Sequence, residues 1–100
     1  MRWSGTGYWY WRNESDDILT VEITVTNQVH DPDSSSSSSA FIYYNEECDD
    51  NSTSMIMKVT GTYASASTKN TTLSVEPGYG FMWVNQSNAR TWVTMQIIEE

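Results

Sequence analysis

From Leu19 the chain alternates. Leu19, Val21, Ile23 and Val25 fall at every second position, with Thr20, Glu22, Thr24 and Thr26 between them. That period belongs to a strand with one buried and one wet face, because successive strand side chains point to opposite sides. β-Branched residues on both faces favour the same assignment. The four aliphatics are therefore predicted to be buried and their polar neighbours more exposed. Six further segments carry shorter versions of the pattern: 8–12, 41–44, 55–63, 72–76, 81–84 and 91–98. In 55–63, Met55, Met57, Val59 and Gly61 alternate with Ile56, Lys58, Thr60 and Thr62. In 91–98, Val93, Met95 and Ile97 alternate with Trp92, Thr94, Gln96 and Ile98.

Turn-forming residues fill the intervals 13–17, 31–39, 45–54, 64–70, 77–80 and 85–90. Pro77-Gly78 has a mechanism as a turn: proline presets φ and glycine accepts positive φ. No interval supports a helix, and 64–69 is too short and too rich in Ser and Thr. Seven short strands with frequent turns predict an all-β fold, an antiparallel β-sandwich of about seven strands, immunoglobulin-like in outline. A jelly roll or small barrel would satisfy the same pattern. The whole chain, 1–100, reads as one domain. The run Ser34–Ser39 is low in complexity and predicts a flexible Ser-rich loop over 31–39.

Two phrases, Val21-Glu22-Ile23-Thr24-Val25-Thr26-Asn27 and Leu73-Ser74-Val75-Glu76-Pro77-Gly78, resemble those of extracellular immunoglobulin-like modules of bacteria and archaea. The resemblance implies a sandwich strand followed by a turn. It covers those two phrases and identifies no family.

Antiparallel strands place successive loops at alternate ends of a sandwich. One end then collects loops 13–17, 45–54 and 77–80 with the C-terminus, and with them Glu14, Asp16, Asp17, Glu46, Glu47, Asp49, Asp50, Glu99 and Glu100. The other end holds a near-balanced set, Asp31, Asp33, Lys69 and Arg90. The acidic end has three readings: a solvated, repulsive surface, a head-to-tail contact with basic residues of a neighbouring copy, or a calcium site. Hard cations take several carboxylate oxygens, and Asp16, Asp49 and Asp50 are the candidate ligands, although no EF-hand spacing is present. No other cofactor is expected.

The net charge of −8 argues against nucleic acid, which needs clustered Lys and Arg. No segment approaches the length of a membrane span, and residues 2–17 lack the apolar core of a signal peptide. The single cysteine, Cys48, stands among acidic neighbours that disfavour a thiolate. His30 is the only histidine, which excludes a zinc-finger-type site. It lies beside Asp31 and the Ser run, but adjacent loop residues cannot hold a triad. Catalysis is not expected.

Four Asn-x-Ser/Thr sequons, at Asn13, Asn51, Asn70 and Asn85, fall in loops or at strand edges and fit a glycosylated, extracellular or particle-surface protein. Tyr8-Trp9-Tyr10-Trp11 places large rings on both faces of one strand, and Trp92 falls opposite the apolar set of its own strand. Either Tyr8 and Tyr10 or Trp9 and Trp11 face outward, or a second layer covers them within the domain; outward aromatic surface marks contact sites. Tyr8, Trp9, Tyr10, Trp11 and Trp92 are the candidate binding residues. The expected function is a structural or adhesive module that self-associates on a cell or particle surface as a homo-oligomer. A carbohydrate-binding module with a glycan partner is the alternative, and a lipid-interface binder a weaker one.

Overall fold

A computed structural model describes residues 2–5, 8–29, 37–86 and 89–99. They form eight strands and one 3-10 turn: β1 (Arg2–Gly5), β2 (Tyr8–Arg12), β3 (Leu19–Val29), β4 (Ser38–Asn45), the turn Ser52–Ser54, β5 (Met55–Gly61), β6 (Ser67–Val75), β7 (Gly80–Asn85) and β8 (Ala89–Glu99). Every pairing is antiparallel. Two four-stranded sheets result, ordered β1-β8-β3-β6 and β2-β7-β4-β5.

The antiparallel sandwich expected from the alternation is what forms. Its strand order is that of a jelly roll: the nested pairs β1·β8, β2·β7, β3·β6 and β4·β5 are assigned alternately to the two sheets. In immunoglobulin order the last strand pairs with its predecessor. Here β8 leaves β7 and lies between β1 and β3, so the likeness stops at the two-layer outline.

The core lies between the sheets. β3 alternates fully buried and half-buried residues along its whole length, with Leu19, Val21, Ile23, Val25 and Val29 inside. The first four form one cluster with Ala40, Ile42, Met57, Val59, Phe81 and Trp83 of the opposite sheet and Val75, Val93 and Met95 of their own. Val21→Ala should lower stability by about 2 kcal/mol, from two lost methyl groups and a residual cavity. A urea midpoint equal to that of the parent would show that Val21 is not packed as described.

Several boundaries depart from the expected ones. β1 has no strand pattern of its own and exists by pairing with β8. Ser67–Asn70, read as part of a turn, begin β6 and pair with β3, where Thr26 and Thr68 hydroxyls meet at 2.8 Å and Asn70 Nδ2 donates to Thr24 Oγ1 at 2.7 Å. The Ser run does not belong wholly to a loop. Ser38 and Ser39 open β4 and are buried, and the Ser39 hydroxyl meets that of Thr60 at 2.7 Å. Ser37 is exposed ahead of the strand, and residues 31–36 of the expected flexible segment lie outside the described residues.

Two bulges interrupt the strand pairing. A register shift between Ile42 and Tyr43 pairs Tyr43 with Met55, so Met55 turns outward and parts from Met57 and Val59. An extra residue on one strand, here Ile56, shifts the side chains beyond it by one position. A second bulge lies between Thr20 and Val21, opposite the end of β8; Ile97 still pairs with Val21, in phase with the buried Val93 and Met95, and is 47% exposed.

Candidate binding surfaces

Strand β2 is an edge strand, and its register on β7 decides where its four rings go. Trp9 pairs with Trp83 and Trp11 with Phe81. Trp83 and Phe81 are buried, so Trp9 and Trp11 face inward with them. Trp9 stacks on Trp83 with centroids 4.7 Å apart, and Trp11 on Phe81 at 5.8 Å. Both tryptophans are half-buried and pack against the core, on the face opposite Tyr8 and Tyr10. Tyr8 and Tyr10 take the other face, 66% and 59% exposed.

These two tyrosines do not stand alone. Tyr8 pairs with Val84, Val84 with Phe41, and Phe41 with Lys58. One step along the strands, Tyr10 pairs with Met82, Met82 with Tyr43, and Tyr43 with Met55. Two tiers therefore cross the outer face of the β2-β7-β4-β5 sheet, the Tyr10 row apolar on all four strands and the Tyr8 row apolar on three, with Lys58 at its β5 end. Phe41 and Tyr43 stack at 6.4 Å between them, and Lys58 Nζ lies 5.8 Å above the Phe41 ring. The outer face of the other sheet is of opposite character, with Thr20, Glu22, Thr24, Thr26, Asn70, Thr72, Thr94 and Gln96 along it. Trp92, 39% exposed, is its one large ring among the residues with described side chains.

Loops 13–17 and 77–80 do share an end: Asn13 N donates to the Tyr79 carbonyl at 2.8 Å, and Gly78 N to that of Asn13 at 2.9 Å. Loop 45–54 joins them through Cys48, whose thiol lies 3.7 Å from the Trp11 carbonyl. The acidic residues of these loops therefore gather at one end, yet the three candidate ligands do not converge. Among the described residues no group of three or more His, Cys, Asp or Glu side chains is placed to hold a metal ion. Asp49 serves its own loop, where Oδ1 accepts from Asn45 Nδ2 at 3.1 Å and from Asn51 N at 3.2 Å. Asp16 and Asp50 are exposed. Cys48 is buried with φ of 54°. Burial raises its thiol above the ordinary value, nearby Arg12 opposes that, and Asp49 and Glu47 add to it. A thiol held protonated is a poor nucleophile. His30 lies outside the described residues.

The four sequons differ in access. Asn13 is fully buried, and both of its amide hydrogens are in use, to the Asp17 carbonyl at 2.9 Å and the Val75 carbonyl at 3.0 Å. A glycan on that nitrogen is incompatible with this packing. Asn51 and Asn70 are exposed. Asn85 is half-buried, and its Nδ2 donates to Thr91 Oγ1 at 2.9 Å. Thr91 in turn donates to Asn27, a polar residue at an inward position of β3 whose Nδ2 donates to the Ser38 carbonyl.

No protein-family model, curated protein or solved structure matches the chain. Among the described residues no helix is long and apolar enough to cross a membrane. The aromatic sheet face presents rings, thioethers and aliphatics to solvent, and such a face gains free energy by being covered.

Proposed function

We propose that this domain is a non-catalytic structural or adhesive module that self-associates through the outer face of the β2-β7-β4-β5 sheet, on a cell or particle surface. The supporting observation is the pair of tiers that begins at Tyr8 and Tyr10 on the sheet edge, apolar across all four strands from Tyr10 and across three from Tyr8. Strands lie about 4.8 Å apart and rise about 3.3 Å per residue, so two tiers over four strands cover roughly 250 Å². A stable pairwise interface needs about 800 Å² from each partner. One such contact is therefore weak. It suits repeated association in an array, where many contacts act together. The exposed edge backbone of β2 and the adjoining rings offer a second copy both hydrogen bonds and apolar cover.

Replacing Tyr8 and Tyr10 together by Ser tests the reading. Light scattering and negative-stain microscopy of the parent should show concentration-dependent oligomers or filaments. The double variant should remain monomeric at the same concentration with an unchanged circular dichroism spectrum, because neither ring contributes to the core. A parent that stays monomeric at high concentration, or a variant that assembles equally well, refutes the proposal.

A further inference from the structure

The polar sheet face is interrupted at one end. There the β5–β6 connection, residues 62–66, is tied to β3: Gln28 Nε2 donates to the Tyr63 carbonyl at 2.7 Å. A cleft of about 580 Å³ lies beside this tie, lined by Gln28, Val29, Tyr63, Ala64, Arg90 and Trp92. Its size falls within the roughly 300–1,000 Å³ of small-ligand sites. The register explains the lining. Gln28 stands opposite Arg90 and Thr26 opposite Trp92, so an amide, a guanidinium and an indole are adjacent on one face. The Arg90 guanidinium carbon lies 5.8 Å from the Trp92 ring centroid, a cation–π contact that restrains both groups. Trp92 is 39% exposed and Tyr63 46%, both with ring surface still open to a ligand.

We infer that this cleft binds a neutral pyranose saccharide. A pyranose has apolar C–H faces and a rim of hydroxyls. The faces suit the Trp92 and Tyr63 rings, and the rim suits the Arg90 donors and the Gln28 amide oxygen. A wholly apolar ligand would strip water from Arg90 and Gln28 without replacing their hydrogen bonds, a cost of about 1–3 kcal/mol for each group. An anionic ligand would approach a chain of net charge −8. A neutral, hydroxyl-rich ring avoids both penalties. The site lies on the sheet opposite the aromatic tiers and does not depend on self-association.

Isothermal titration calorimetry of the full chain with cellotriose, maltotriose and trigalacturonate tests the inference. At least one of the two neutral trisaccharides should bind at millimolar or lower concentration, and trigalacturonate more weakly. Trp92→Ala and Arg90→Gln should each weaken that binding about tenfold or more, equivalent to about 1.4 kcal/mol, with circular dichroism unchanged. The Tyr8→Ser, Tyr10→Ser variant should bind as the parent does, which separates this site from the assembly face. Absence of heat with both neutral sugars, undiminished binding by Trp92→Ala, or tighter binding of trigalacturonate overturns the inference.

Discussion

Gly80→Ala should destabilise the domain by about 3 kcal/mol or more, a large part of the 5–15 kcal/mol that holds a typical domain together. Gly80 is buried at the start of β7, between Arg12 of β2 and Asn45 of β4. A Cβ built there overlaps the Trp11 carbonyl oxygen and comes within 2.7 Å of both Arg12 Cα and Cys48 Sγ. The first two obstacles are backbone atoms, which no rotamer change can move. Relief requires β2 to shift away from β7, and that loosens the stacks of Trp9 on Trp83 and Trp11 on Phe81. Gly78→Ala is the contrasting case. Its φ is +84°, with nothing within 4 Å of an added Cβ. Only the left-handed backbone opposes the substitution, at a cost of about 1–2 kcal/mol. Urea unfolding of both variants should give a much lower midpoint for Gly80→Ala; equal midpoints would show that β2 does not seat against β7 at this point.

Asn13→Ala should cost about 3 kcal/mol although the residue stands in a loop. Its side chain donates a buried hydrogen bond to the Val75 carbonyl and a part-buried one to that of Asp17, and its Oδ1 accepts from Ser15 N at 3.0 Å and from Ser15 Oγ at 2.6 Å. Its backbone bonds to Tyr79 and Gly78 in the β6–β7 turn. One residue thus fastens the β2–β3 loop to itself, to the end of β6 and to the turn that follows. Alanine strands the Val75 carbonyl in a buried site, and an unmet buried group costs about 1–3 kcal/mol beyond the bonds lost. Asn51→Ala, at an exposed sequon, should stay within about 1 kcal/mol of the parent, because it removes only a short cap on a 3-10 turn. If the two asparagine variants unfold at the same urea concentration, the Asn13 clamp does not exist in solution.

The parts of this fold that were legible in the sequence are those fixed by local alternation. Leu19 to Val25 identify a strand, its inward face and its outward face, because period two admits no other regular element. The acidic end was also legible, since a chain that reverses direction at each strand places alternate loops at the same end, whatever the strand order. The ring-rich strand announced rings on both of its faces. Which pair faces out depended on Trp83 and Phe81, some seventy residues away, and no local rule contains that distance. Ser67 to Asn70 carry no apolar stripe and become a strand through side-chain hydrogen bonds to Thr24 and Thr26. The Asn13 sequon looked like an accessible loop site because burial of a polar residue is a tertiary fact. The jelly-roll order was equally hidden, and with it the tiers that bring Tyr8, Val84 and Phe41 together. The cleft was half legible: Trp92 announced itself as an outward ring, whereas Tyr63 joins it by way of a loop.

The nested pairing has a kinetic consequence. Of the strand pairs among the described residues, only β4 and β5 are neighbours in the chain. β1 waits for β8, and β2 waits for β7, so closing each pair costs loop entropy before any ladder forms. Folding should accordingly belong to the slow, millisecond-to-second class of non-local β topologies. During synthesis, Tyr8-Trp9-Tyr10-Trp11 emerges long before the strand that will receive its two tryptophans. For that interval the most aromatic stretch of the protein is without cover, a hazard for association between unfinished chains. The net charge of −8 opposes such association, because like-charged chains repel.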